Sequence, residues 1–426
     1  MNTLRIRSTL LIVALALFFA MGCEGILDVR NPNNVLEEDL SNPVAAAGLA
    51  NGALFTVSQG IGFVLAPYET VTDEVRWIGS RDAWGQLDNG IVGDVYNEFV
   101  DASWPYITEG RWMADKAVSL LKAFDGGGTL VNRLDLARAY AYQALVRTAI
   151  ADMFDDFVFS DKTTTNPPIG EANMSSLYDQ AIAALDAGLA IAQSGTTASH
   201  QEWERRILGL RARVKHSKDI WTKVNPKGTV PTNPYIASAG AVADAQAALA
   251  KMTGDYMWRL DYFTALTFNE FAWEVVGRSE LALEAIPNDP VTGTADARMT
   301  AIANDFRDRT KYQDRYSPLT VVSAREMHLI IAESYLAAGN AAQCLAQLNT
   351  LRTLTGQTAY PLTFDAATAL KHERRANLYL QGRRLSDMYR FGIQDARWLP
   401  NAEARTTPGS FFPITIQERR ANPNVR

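Results

Sequence analysis

Apolar residues recur at steps of three and four through most of this chain, and Gly, Pro or Asn breaks divide them into segments of helical length. The clearest case is Val322 to Gly356. Met327, Ile331, Tyr335 and Ala338 share one helical face, and Gly339 offers the positive-φ position that ends a helix cheaply. Ala341, Cys344, Leu345, Leu348 and Leu351 then line a second helix that stops before Gly356. The short connection predicts an antiparallel hairpin, and Cys344 falls on its apolar stripe as a small core residue. A lone hairpin cannot bury its own apolar face, so further units of the same kind are expected.

Two more such pairs and the first helix of a third follow from the pattern. Leu134, Ala137, Ala141, Leu145 and Ala149 line one helix; Leu177, Ala181, Ala184, Leu185, Gly188, Leu189 and Ala192 line its partner. Trp203, Ile207, Leu210 and Val214 pair with Val242, Ala245, Leu249 and Met252 across a proline-rich loop. Arg205, Arg206, Arg211 and Arg213 fall largely on other faces and read as a solvated surface. Asp365 can cap a helix running to about Leu380. The expected fold is mostly α: a superhelical scaffold of four tetratricopeptide-like helix pairs, near 133–192, 201–252, 322–354 and 365–392. Between the second and third pairs, 254–320 breaks the period and reads as an irregular lobe. Phe271, Trp273 and Val275 alternate there, predicting a short strand with Trp273 in the core.

Upstream, Pro43 to about Val57 and 95–123 read as helical, with Pro105 placed at a turn or in a first turn. Glu69 to Gly90 has no sustained period. It mixes Asp73, Arg76, Trp77, Arg81 and Trp84, a set in which aromatic faces could stack on a ligand while Arg and Asp supply directional hydrogen bonds. The competing reading is that Trp77 and Trp84 plug the core beneath a loop. The tail from Phe411 to Arg426 reads as an extended segment pinned on the body.

At the N-terminus, Arg5 and Arg7 precede the apolar run Leu10–Ala20 and the sequence Ala20-Met21-Gly22-Cys23. The run is shorter than the about 20 residues needed to span a bilayer. It predicts a signal peptide over 1–22, with Cys23 as a lipid-acceptor cysteine of lipobox type. The net charge is −6, and loss of the leader makes it more negative, which argues against a nucleic-acid partner. The two cysteines imply no disulfide framework.

His200, His216, His328 and His372 lack zinc-ligand spacing, and neither a G-x-S-x-G elbow nor a G-x-G-x-x-G turn is present. No metal, cofactor or catalytic set is expected. Carboxylate pairs such as Asp73-Glu74 and Asp155-Asp156 leave a helical glycoside hydrolase as a minor alternative, beside a helical-repeat adaptor.

Three blocks carry a family resemblance. The first is Arg325 to Arg352, with Ala332-Glu333, Gly339-Asn340 and Asn349-x-x-Arg352. The second holds Glu373-Arg374, Leu378, Gly382-x-Arg384, Asp387, Arg390 and Gly392, and the third Pro413-Ile414, Glu418 and Asn422-Pro423. With Cys23 and Ile26-Leu27-Asp28, these resemble the SusD/RagB family of nutrient-binding outer-membrane lipoproteins. Asn377 and Gln381 stand where the family usually has glutamates, so Arg383 or Arg384 must find other partners. The resemblance implies a surface lipoprotein of the outer membrane that captures an oligosaccharide or peptide. It further implies delivery to a SusC-like TonB-dependent barrel and no covalent chemistry.

Overall fold

The computed structural model describes residues 39–425 apart from 162, 265 and 266. The leader and Cys23 lie outside the described residues. The chain divides into two units, Met1–Ala45 and Ala46–Arg426. The described part of the first consists of two 3-10 turns, Asp39–Ser41 and Pro43–Ala45.

The second unit opens with α1, Ala46–Thr70, which runs well past the expected end near Val57. Its inner residues are apolar nearly all round, so no polar stripe marks a boundary, and Pro67 is carried inside the helix. The segment is long and apolar enough to cross a membrane, yet two-thirds of its most apolar window is buried in the protein. Then come β1 (Val75–Trp77), α2 (Asp82–Asp88) and α3 (Glu98–Gly126). Pro105 is inside α3, not at a turn. Helices α1 and α3 form a pair that the sequence pattern did not count. They cross at two glycines: a Cβ on Gly60 would sit 2.8 Å from the Tyr106 carbonyl, and one on Gly110 would sit 2.9 Å from the Thr56 carbonyl.

Three of the four expected pairs are present. They are α4 (Arg133–Met153) with α5 (Ser176–Ala192), and α6 (Ala198–Val224) with α7 (Ala239–Leu249). After the lobe come α11 (Ala324–Ala337) with α12 (Ala341–Leu354). The pair expected near 365–392 does not form: Leu380 and Gly382, both at positive φ, turn the chain, so α13 (Ala366–Asn377) packs on α11 and α12 while α14 (Arg384–Phe391) packs on α6 and α1. Caps explain several boundaries: Asn132, Thr197, Ser323, Asn340 and Asp365 each accept a backbone N–H of the first turn. The stripe on α7 is rotated by about one residue, so Ala241, Asp244, Ala245 and Ala248 face inward. Asp244 thereby reaches Arg211 at 2.8 and 2.5 Å and Lys215 at 2.6 Å. Cys344 is a free, buried thiol packed among Leu345, Leu348, Ala369 and Leu370.

The lobe holds β2 (Met257–Leu260), α8 (Glu270–Ala272), β3 (Leu281–Leu283), α9 (Ala297–Phe306), α10 (Arg309–Tyr312) and β4 (Leu319–Ser323). β1 pairs antiparallel with β3 (Val75↔Leu283), and β2 with β4 (Met257↔Ser323). The expected strand at Phe271–Val275 is instead α8 continued by a π-helical turn, Trp273–Gly277. Asn269 decides this: its side chain accepts from Phe271 N (3.0 Å) and Ala272 N (3.4 Å), capping a helix where alternation alone suggested a strand. The tail also departs from a purely extended course, with a helical turn at Ile416–Ala421.

Charge is packed deep inside the C-terminal half. Glu333, fully buried, accepts from Arg374 (3.2 Å), from Arg390 and from His216 (3.1 Å); Asp387 binds Arg374 (2.8 Å) and Arg390 (2.9 Å). Burial pushes the Glu333 carboxyl up, but Arg390, Arg374 and His216 outweigh it and hold the group well below its usual range. A second knot joins Glu373 to Arg352 (2.8 Å) and Arg298, with Asp289 on Arg352 (2.7 Å) and Asp296 on Arg298 (2.7 Å). Arg383 and Arg384 do find other partners: Asp152 at 2.6 Å and Asp73 at 2.6 Å. Arg213 is a correction to the solvated-face reading. It is buried and holds Glu326 at 2.8 Å, whereas Arg205 and Arg206 stay at the surface on Glu202.

Candidate functional site

The residues singled out between Asp73 and Trp84 divide by burial. Asp73 faces the C-terminal half, where Arg384 grips it with two bonds (2.6 and 2.7 Å) and Arg375 lies at 3.3 Å. Burial pushes its carboxyl up, yet Arg384 wins and holds it low, so Asp73 fastens the turn after α1 rather than facing a ligand. Trp84 is 1% exposed and stacked on Phe99 at 3.6 Å between centroids, so it offers no face to solvent. For Trp84 the packing alternative is the one realised. Arg76 is exposed on β1, with Glu284 at 3.8 Å. Trp77 is half-buried and lies over Gly85, where a Cβ would meet its ring at 2.8 Å. Arg81 lies 4.4 Å over the Phe99 ring and pairs with Glu98.

The turn carrying Arg81 is tied to the lobe. Ile78 N donates to the Glu280 carbonyl (3.0 Å), while the Glu280 carboxylate accepts from Ser80 N (2.9 Å) and Arg81 N (3.2 Å). Glu280 N donates in turn to the Glu274 carbonyl at 3.0 Å, so the β1–β3 ribbon delivers Arg81 to the π-helical turn. Such turns occur often at functional sites.

Around that turn the structure assembles a half-buried platform. Phe63 on α1 stacks on Tyr106 of α3 at 3.7 Å and meets Phe268 edge-on at 5.8 Å. Arg315 spans the next gap, 5.4 Å from the Phe268 ring and 3.9 Å from that of Trp273. Glu270 and Glu274 lie beside it, one helical turn apart. Burial raises both; with Glu270 also facing it, Glu274 is pushed up to about 7, and Arg278 (3.4 Å) and Arg81 offset only part of this. The arrangement supplies flat apolar faces, guanidinium donors and a carboxyl that is half-protonated near neutrality.

Sequence reading had reached Arg81 but not Phe63, Tyr106, Phe268 or Arg315, and it placed Trp273 in a core strand. The one signal was the density of aromatics between Tyr256 and Trp273. Among the described residues, Asp289, Asp296 and His372 come together in a way that could suit a metal ion. Their carboxylates are already engaged by Arg352 and Arg298, and His372 Nε2 is 2.9 Å from Asp296.

Residues 308–425 match the SusD family model. No curated protein sequence matches the chain. Among solved structures, the chain resembles a SusD-like carbohydrate-binding protein from Bacteroides vulgatus (14% identity, TM-score 0.61, covering 90% of this chain and 97% of that one). It also resembles a SusD superfamily protein from Bacteroides fragilis (13%, 0.62, 90% and 99%) and a SusD homologue from Bacteroides thetaiotaomicron (13%, 0.59, 92% and 98%). The SusD/RagB resemblance and the mostly α fold inferred from the sequence both stand.

Proposed function

Because a C-terminal segment of the SusD family sits on a SusD-like fold throughout its helical body, we propose that this protein binds neutral oligosaccharide on the platform of Phe63, Tyr106, Phe268, Arg315 and Trp273. The arginine-bridged ladder of half-buried rings carries this reading: sugar C–H faces stack on such rings while guanidinium and carboxyl groups bind the hydroxyls. Glu270 and Glu274 sit four residues apart on one helical turn, with Arg278 at 3.4 Å from Glu274, which suits holding a guest's hydroxyl groups. The protein is accordingly a binder that hands its cargo on, tethered through Cys23 to the outer membrane and working with a TonB-dependent barrel.

Affinity electrophoresis against a panel of neutral polysaccharides tests the binding. Retardation that is lost in Arg315→Ala supports it; retardation unaffected by that change, or capture of peptides alone, overturns the assignment. Loss of palmitate labelling in Cys23→Ala and recovery of a large barrel from detergent-solubilised outer membranes test the tether and the partner.

A further inference from the structure

A second set of groups converges under β4, in a place the platform does not use. A cleft of about 350 Å3 opens between α9, β4 and the turn after α12. Met257, Ile302, Phe306, Pro318, Thr320 and Arg325 wall both this cleft and an inner pocket of about 50 Å3. The inner end is closed by Asn377, Tyr379, Leu380 and Gln381.

Four buried polar atoms on these walls lack a partner: Arg325 Nη1, Asn377 Oδ1, Tyr379 Oη and Gln381 Oε1. Asn377 and Tyr379 are 1% and 2% exposed. Each orientation is fixed from behind. Asn377 Nδ2 donates to the Glu373 carbonyl (2.8 Å) and Oε2 (3.0 Å), and Gln381 Nε2 donates to the Asn377 carbonyl (3.0 Å). Arg325 commits Nε (2.8 Å) and Nη2 (2.5 Å) to Asp255, which leaves Nη1 over. Leu380, at φ +60, turns the chain between Tyr379 and Gln381, and its N–H is held by Glu74 at 2.8 Å. A buried polar atom left unpaired costs about 1–3 kcal/mol, so several on one pocket mark a place that a polar guest would fill.

The guest's chemistry follows from the walls. They present one N–H donor, one hydroxyl and two carbonyl acceptors. Arg325 is balanced by Asp255, and Arg259 by Asp305 at 3.3 Å, so little net charge faces the cleft. Ile302, Phe306 and Pro318 offer apolar surface for C–H groups. We propose that this cleft binds a neutral polyhydroxylated molecule of monosaccharide size, taken end-on, with one hydroxyl arm reaching Asn377, Tyr379 and Gln381. The site shares no residue with the aromatic platform and does not depend on its function.

Saturation-transfer NMR on the mature Arg315→Ala protein, in which the platform has lost its guanidinium, with D-glucose, myo-inositol and D-gluconate tests this. Saturable binding of at least one neutral probe is expected. In that background Ile302→Trp, a half-buried position at the mouth, should abolish it, and Tyr379→Phe should weaken it about two- to tenfold, the loss of one hydrogen bond. The proposal is overturned if neither neutral probe binds, if binding survives Ile302→Trp, or if gluconate binds more tightly than glucose. It is equally overturned if a crystal soaked in glucose shows only water in the inner pocket.

Discussion

Arginine serves opposite ends in two regions of this protein. In the C-terminal half, Arg390 and Arg352 are completely buried and each is gripped by carboxylates on more than one side. On the platform, Arg315 is half-buried, spans two aromatic rings and keeps edges free for a guest. The first use fixes how helices of successive hairpins meet, because a desolvated charge tolerates only the geometry that neutralises it. The second spends little on the fold and leaves binding capacity exposed. The residues that make the sequence resemble a family, Glu333, Arg352, Glu373, Arg374, Asp387 and Arg390, belong to the first kind. They specify a scaffold, and the proposed binding surface lies elsewhere.

The sharpest break of this contrast is Glu333→Gln. It strands Arg390 and Arg374 with half their partners, and unfolding in urea should show a loss of about 3–5 kcal/mol. The same contacts give an acid-side dependence. Glu333 has a folded pKa below its unfolded one, so its stabilisation is present above about pH 4.5 and is lost as pH falls through the folded value. A smaller loss, about 1–3 kcal/mol from overpacking, is expected for Gly110→Ala, measured as a drop in Tm, since the added methyl would meet the Thr56 carbonyl. Arg315→Ala should invert the pattern: glycan affinity falls about tenfold or more while Tm stays within a few degrees. Stability unchanged in Glu333→Gln, or lost in Arg315→Ala, would erase the distinction.

The smallest effect concerns Glu274. Its folded pKa of about 7 lies above the unfolded value, so the folded state holds a proton that the unfolded state has lost between about pH 4.5 and 7. This contribution to stability therefore declines as pH rises through that window, by about 1 kcal/mol. Glu274→Gln should flatten the Tm profile there, and an unaltered profile would mean that the carboxyl titrates normally.

How far the sequence reached follows the distance between cause and effect. Three hairpins were readable because stripes, caps and C-terminal glycines such as Gly339 act within a few residues; the pair expected near 365–392 failed because its two helices pack on distant partners. The Arg213–Glu326 pair was not, since its members are 113 residues apart and a buried arginine looks like any other on a helix. The end of α1 was hidden by its uniform apolarity. Asn269 was a readable cap outvoted by alternation around Trp273. The platform draws rings from α1, α3 and the lobe, and only tertiary packing brings those segments together.

The glycines at the α1–α3 crossing act as a caliper for the spacing of the platform's rings. Phe63 follows Gly60 by less than one turn, and Tyr106 precedes Gly110 by about one, so the gap between the helices sets the 3.7 Å between the two rings. Adding bulk at either glycine would prise those rings apart from behind, altering what the surface can hold without replacing a single atom that faces it.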